Sequence, residues 1–139
     1  MKTGRNYINS YADRLMRERM VGEAGAFLEH LMSVEVTSPK LIKQEFGIDY
    51  KTIKALRMAN PSVSFETLRK FAYVFAFYLC QCRENIANKQ KWVNGKDERL
   101  AKVDRLIDAY KAIYGVQATF CLELVMHQHQ DLREIVNHE

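Results

Sequence analysis

Apolar residues recur along most of this chain at the three- and four-residue spacing typical of amphipathic helices. In the first third, this spacing predicts a short helix over residues 6–20 and a second helix over about 24–33, with an interruption at Gly22 and Gly25. Residues 34–37 alternate apolar and polar side chains and are rich in β-branched residues, so we expect them to be extended. The first third therefore predicts two helices and an extended connection.

Two short helices are predicted next, on either side of Gly47. Ser38 and Pro39 form a strong helix start, because a serine hydroxyl caps free N–H groups and proline at the first helical position loses no hydrogen bond. Gly47 is expected to end the first helix in the left-handed conformation, and Asp49 to cap the second. The two helices are predicted over 39–46 and 50–58.

Three longer helices follow a turn at 60–61. Ser64 caps a helix over 65–82 that is apolar on nearly every side. A helix of this kind is buried at the centre of a fold or against a second subunit. Residues 98–136 show a regular apolar stripe interrupted at Gly115, which predicts a helical hairpin.

The composition agrees with a helical fold. The chain has 139 residues, 47% of them hydrophobic, which is enough to bury a core without disulfides or metals. With two prolines and six glycines it has too few turn-forming residues for a sandwich of many short strands. We therefore predict an all-α fold.

Neither secretion nor membrane insertion is predicted. Residues 1–20 carry five basic side chains with no apolar run behind them, unlike a signal peptide. The longest apolar run, 71–82, is too short to span a bilayer. Three cysteines do not form an even disulfide framework, so we expect a cytoplasmic protein.

Positive charge is concentrated in the first 80 residues. The formal net charge is +4, and residues 81–139 contribute none of it because they carry nine basic and nine acidic side chains. This distribution suits a half that faces nucleic acid joined to a neutral half that mediates assembly. Charge alone leaves a solvated surface of mixed charge as the alternative.

Residues 38–58, SPKLIKQEFGIDYKTIKALRM, have the apolar pattern of two helices packed across a tight turn. The positions that must be apolar in such a motif are occupied by Ile42, Phe46, Ile48, Ile53 and Leu56. The second helix then presents an outward side formed by Tyr50, Lys51, Lys54, Ala55 and Arg57. Such a helix can enter a major groove and contact both base edges and phosphates.

This segment resembles the lambda-repressor-like (XRE, Cro-type) helix-turn-helix family. The similarity continues through 59–75, where an Asn-Pro-Ser turn is followed by Leu68 and by the apolar–Ala pair Phe71 and Ala72. In all it covers about residues 24–80. The family usually has a small residue where this chain has Lys43, whose stem would follow the helix crossing and whose ammonium would point outward.

The resemblance implies an all-α helix-turn-helix core in which the first short helix crosses the DNA backbone and the second is the recognition helix. It also implies a dimeric repressor. Phosphate contacts are expected from Lys40, Lys51, Lys54 and Arg57, with hydrogen bonds from Ser38 and Thr52. Candidates for base-edge contacts are Tyr50, Lys51 and Lys54. A basic arm that includes Lys2 and Arg5 and reaches DNA is left open.

One such motif covers only a few base pairs, and specificity normally needs two motifs about 34 Å apart. We therefore predict a homodimer on a pseudo-palindromic site in double-stranded DNA, with the neutral C-terminal hairpin as the dimer surface. The expected organisation is an N-terminal basic helix or arm (1–20), a helix-turn-helix domain (21–82), a linker (83–97) and an assembly hairpin (98–139).

Two other functions are left open. One is a helical protein-interaction adaptor, antitoxin-like or phage-like, that keeps the fold but does not read DNA. The other is a metal or redox protein that uses Cys80, Cys82, His127 and His129, although an i, i+2 pair on a helix points to different sides. The sequence contains no Gly-rich phosphate loop and no HExxH motif, so we expect neither an enzyme nor a cofactor.

Overall fold

The computed structural model describes residues 4–89 and 96–138, with the side chains of 11–87 and 97–128. Within these ranges the chain forms helices joined by turns and contains no strand, which confirms the all-α prediction. The helices are α1 (Gly4–Ser33), α2 (Pro39–Phe46), α3 (Tyr50–Arg57), α4 (Phe65–Lys89), α5 (Lys96–Tyr114) and α6 (Val116–His138).

The chain divides into two compact units, Met1–Arg69 and Lys70–Glu139. Fully buried apolar side chains of the first unit come from α1, α2, α3 and the start of α4: Val21, Leu28, Leu31, Ile42, Ile53, Leu56 and Leu68. Those of the second unit come from α4, α5 and α6: Phe71, Val74, Phe75, Leu79, Tyr110, Ala118 and Val125. Burial of such side chains is the main favourable contribution to folding.

α1 is one uninterrupted helix, so the predicted break at Gly22 and Gly25 is wrong. Apolar periodicity continues through both glycines, because Val21 and Leu28 lie buried on the same side. A glycine inside a helix costs about 1 kcal/mol relative to alanine, which favourable packing readily outweighs. At position 25 the glycine is explained by tertiary packing, because a Cβ there would overlap the carbonyl oxygen of Leu56 in α3.

The segment after α1 begins as a turn rather than an extended strand. The N–H of Val36 donates to the carbonyl of Leu31 at 2.9 Å, and the N–H of Glu35 donates to that of Met32 at 3.1 Å. This pair of bonds is a Schellman motif, with Glu35 at a left-handed φ of 63°. The prediction of an extended segment over 34–37 is therefore wrong at its start. The sequence did not indicate this turn because it contains no glycine there.

The two short helices begin at the predicted caps. The Ser38 hydroxyl accepts a hydrogen bond from the N–H of Leu41 at 3.2 Å, and Pro39 occupies the first turn. The Asp49 carboxylate accepts one from the N–H of Thr52 at 3.1 Å. Both caps satisfy N–H groups that a helix start leaves without an internal partner.

Left-handed residues end both helices. Gly47 ends α2 as predicted, with φ 69° and its N–H donating to the carbonyl of Lys43 at 2.9 Å. α3 ends at Arg57 and closes in a second Schellman motif, in which Ala59 has φ 53° and the N–H of Asn60 donates to the carbonyl of Ala55 at 2.9 Å. Glycine is preferred at such a position because it has no Cβ to clash.

α4 is longer than the predicted helix over 65–82. It continues to Lys89, so the first part of the predicted linker over 83–97 is helical, while 90–95 lie outside the described residues. α5 and α6 are separated by Gly115 and contact each other. None of the helices in the described ranges combines the length and apolar character that a bilayer span requires.

Aromatic side chains dominate the core of the second unit. The ring of Phe75 lies 5.7 Å from that of Phe71 and 6.2 Å from those of Tyr110 and Tyr114. The Tyr110 hydroxyl donates to the carbonyl of Ala72, so this buried polar group has a partner. Burial raises the pKa of Tyr110 far above its ordinary value.

Candidate nucleic-acid interface

The apolar positions of the motif face inward. Ile42 on α2 and Ile53 and Leu56 on α3 are at most 1% exposed, whereas Phe46 and Ile48 near the turn are partly buried. Since the two helices are amphipathic, burial of these positions fixes which of their side chains reach solvent.

The predicted site residues occupy the opposite side. Tyr50, Lys51 and Lys54 on α3 are exposed, as is Lys40 in the first turn of α2. Ser38 and Thr52 are partly buried at the starts of the two helices. The Ser38 hydroxyl already accepts a helix-capping bond, but its own proton stays available as a donor.

Lys43 joins this outward side. Its ammonium lies 4.5 Å from the centre of the Tyr50 ring, in a cation–π contact between α2 and α3. The side chain therefore leaves the helix crossing and ends in solvent, as its position in the motif leads us to expect. The four lysines of this surface, which we term the lysine face, are Lys40, Lys43, Lys51 and Lys54.

Arg57 differs from the lysines because its guanidinium forms two hydrogen bonds to a carboxylate. Its Nε donates to one oxygen of Glu29 in α1 at 2.7 Å, and its Nη2 donates to the other at 3.1 Å. This hydrogen-bonded pair lowers the pKa of Glu29 and raises that of Arg57. A phosphate would have to displace the Glu29 carboxylate to gain the same two hydrogen bonds from Arg57.

The N-terminus of α3 also has a carboxylate partner, the side chain of Asp49. The Asp49 carboxylate accepts the backbone hydrogen bond of Thr52, and this bond lowers the pKa of Asp49. A helix N-terminus is by itself an anion-binding position. Because Asp49 occupies it, an anion beside α3 would meet the lysine side chains further along the helix.

A shallow cleft of about 420 Å³ opens beside α3. It is lined by Glu29, Pro39, Tyr50, Ile53, Lys54, Arg57 and Met58. The Met58 side chain is 70% exposed at its edge. The outer surface of α3 is therefore mixed, with cationic groups around an apolar recess.

Sequence reasoning missed Glu29 and Met58. Glu29 lies 28 positions before Arg57, and no local spacing connects two residues that far apart. Met58 follows the last residue of α3. Its exposure follows from the sharp turn after the helix, which a left-handed alanine produces without a glycine in the sequence.

Basic residues nearer the N-terminus lie along α1. Arg14 contacts Glu18 at 4.0 Å and stacks over Tyr11, and Arg19 pairs with Glu23 at 3.0 Å. These i, i+4 pairs are what a solvated helix surface contains. Lys2 and the side chain of Arg5 lie outside the described part of the chain.

The cysteines and histidines of the alternative metal site do not gather into a ligand set in the described structure. Cys80 and Cys82 are partly buried on α4, and burial raises the pKa of both thiols. No group of three or more metal-ligating side chains occurs among the described residues. The side chain of His129 lies outside them.

Comparisons of the chain with protein-family models, curated proteins and solved structures find no match. The assignment of a function therefore depends on the geometry of α2, α3 and their surroundings.

Proposed function

We propose that this protein is a cytoplasmic, sequence-specific DNA-binding regulator of the repressor type that acts by binding and not by catalysis. The recognition helix is α3, and the functional unit is a homodimer on double-stranded DNA. One observation carries the proposal: two capped helices meet at the left-handed Gly47 and bury their apolar sides, which leaves the lysine face in solvent.

The lysine face divides into two groups by position. Lys51 and Lys54 lie on α3, beside Tyr50, and have the reach for base edges as well as phosphates. Lys40 lies at the start of α2, where the DNA backbone would cross, and Ser38 and Thr52 add hydrogen bonds. Arg57 contributes to binding only when it exchanges Glu29 for a phosphate.

Selection from random duplex DNA tests this proposal. We expect the wild-type protein to enrich a pseudo-palindromic sequence, and Lys51→Ala/Lys54→Ala to lose the enrichment. The plot of log affinity against log salt should become shallower by about one for each phosphate contact removed.

A matched control is available in the second unit. Lys102→Ala/Lys111→Ala removes the same charge from exposed positions of α5 and should leave enrichment and salt slope nearly unchanged. An equal loss in both double variants would show that binding follows net charge alone, which contradicts sequence-specific recognition by α3.

A second candidate function, the protein-interaction adaptor, is favoured by the cleft beside α3. Exposed Tyr50 and Met58 and the Glu29–Arg57 pair make this surface less uniformly cationic than the lysine face alone would be. Aromatic residues and methionine are enriched where proteins meet proteins. The same selection separates the two candidates, because an adaptor enriches no DNA sequence.

A further inference from the structure

α6 is apolar on two sides, and only one of them is covered. Ala118, Cys121, Leu122 and Val125 are buried in the second unit. On the opposite side, Val116 is 88% exposed, Phe120 65% and Leu124 39%. These three side chains, which we term the α6 ridge, follow one another at four-residue intervals and lie along one face of the helix.

The stretch of sequence that contains the α6 ridge is almost uncharged. Between Lys111 and Arg133, the only formally charged residues are Glu123 and Asp131. A surface without lysine or arginine lacks the attraction that nucleic acids and anionic membranes require. Depletion of charge around an exposed aromatic residue is instead typical of the centre of a protein–protein interface.

We propose that the α6 ridge is the contact between two copies of this chain, related by a two-fold axis at Phe120. The ridge is symmetric about that residue, because Val116 and Leu124 stand four positions to either side. An antiparallel second copy places Val116 of each chain opposite Leu124 of the other and brings the two Phe120 rings together, as an isologous contact requires.

Packing and charge both permit this arrangement. Ridges built from every fourth residue interdigitate when two helices cross at about 50°. Glu123 lies three residues from Phe120, so its two copies fall on opposite sides of the axis and do not meet. A chain with net charge +4 can therefore contact its own copy here without placing like charges together.

This inference deepens the homodimer part of the proposed function and does not require that the protein bind DNA. It is tested by sedimentation equilibrium on the full chain. We expect a wild-type dimer, and Phe120→Glu should weaken self-association by about tenfold or more, because a carboxylate would be buried at the axis. Met126→Glu is the control, since Met126 is 60% exposed on the same helix but faces away from the ridge.

A complementary pair of variants tests the antiparallel pairing. Val116→Lys and Leu124→Glu should each weaken the dimer, and an equimolar mixture should restore it, because one lysine then lies opposite one glutamate. Both positions are solvent-accessible in the free chain, so this test holds even if Phe120→Glu fails to fold. Circular dichroism checks the helical content of each variant.

Four results would overturn the inference: a monomeric wild type, an unchanged dimer in a folded Phe120→Glu, equal disruption by Met126→Glu, or a mixture that does not associate. If DNA selection fails while the dimer behaves as expected, only the DNA-binding proposal is contradicted. Retention of DNA binding by a wild-type monomer would contradict the dimer inference and the homodimer part of the proposed function, and would leave DNA binding itself in place.

Discussion

Gly25 in α1 lies directly against the backbone carbonyl of Leu56 in α3. A Cβ at this position would overlap that oxygen, and the carbonyl carbon of Leu56 lies 3.3 Å from the same point. The obstructing atoms are backbone, which cannot turn aside as a flexible side chain would. Gly25 therefore sets how closely the proposed recognition helix approaches α1.

Substitution of this glycine by alanine should destabilise the protein. Gly25→Ala forces α1 and α3 apart, and overpacking of this kind costs about 1–3 kcal/mol. Gly22→Ala, three residues earlier in the same helix, meets no atom within 4 Å and should stabilise by about 0.5–1 kcal/mol through helix propensity. Urea unfolding of both variants measures the difference, and equal signs would contradict the close approach.

Substitution of Ala59 by glycine should stabilise the protein. Ala59 has a left-handed φ of 53°, a conformation that costs a residue with a Cβ about 1–2 kcal/mol. Ala59→Gly relieves this cost, less the greater entropy of glycine in the unfolded chain. Ala26→Gly, at an exposed site inside α1, should destabilise by about 1 kcal/mol. Thermal unfolding measures both variants, and a midpoint below that of wild type in both would exclude strain at Ala59.

The Glu29–Arg57 pair should make stability depend on pH. The hydrogen bond from Arg57 holds the pKa of Glu29 below its ordinary value of 4.5. The stabilisation is therefore fully present above pH 4.5 and is lost as pH falls through the lower folded-state pKa. Glu29→Gln should be less stable than wild type near neutral pH and should approach it in acid.

Urea unfolding of wild type and Glu29→Gln from neutral to acid pH measures this difference in stability. Arg57→Gln removes the same pair from the other side and should show the same convergence in acid. A stability difference between Glu29→Gln and wild type that stays constant with pH would mean that the carboxylate charge contributes nothing.

Release of Arg57 should strengthen DNA binding. In Glu29→Gln the guanidinium no longer has a charged partner, so it becomes available for one phosphate, and the salt slope should steepen by about one. Glu29→Gln in an Arg57→Ala background should leave the salt slope unchanged, which makes a double-mutant cycle. Equal effects of Glu29→Gln in both backgrounds would show that only the removed negative charge matters.

The hydroxyl of Tyr110 should contribute measurably to stability. It donates to the carbonyl of Ala72 from a buried position, and a hydrogen bond of this kind contributes about 0.5–1.5 kcal/mol. Tyr110→Phe should lose that amount. Tyr50→Phe removes an exposed hydroxyl and should change stability by less than about 0.5 kcal/mol. Chemical unfolding of the two variants decides whether the buried hydrogen bond matters.

Features that act within a few residues could be predicted from the sequence. The caps at Ser38 and Asp49 and the left-handed turn at Gly47 each depend on bonds spanning three or four positions. The apolar positions Ile53 and Leu56 follow from helical periodicity, and their burial determines which side of α3 faces solvent. The all-α class and most helix positions follow from the same signals.

Features set by distant residues could not be predicted. Gly25 has the sequence signature of a helix break, but its cause is the approach of α3 in three dimensions. Arg57 has the signature of a phosphate ligand, but Glu29 reaches it from another helix. The turn at Glu35 uses a residue that local preference disfavours, so no sequence signal marked it.

The continuity of α1 has a mechanical consequence. Thirty residues of helix make a rod about 45 Å long. Arg14, Arg17 and Arg19 lie on the same rod as Gly25, where α1 crosses α3. A cationic segment on a rod does not wind along a groove as a free peptide would. Where these arginines lie relative to α3 is instead set by the contact between Gly25 and Leu56 and by the continuous helix that joins them.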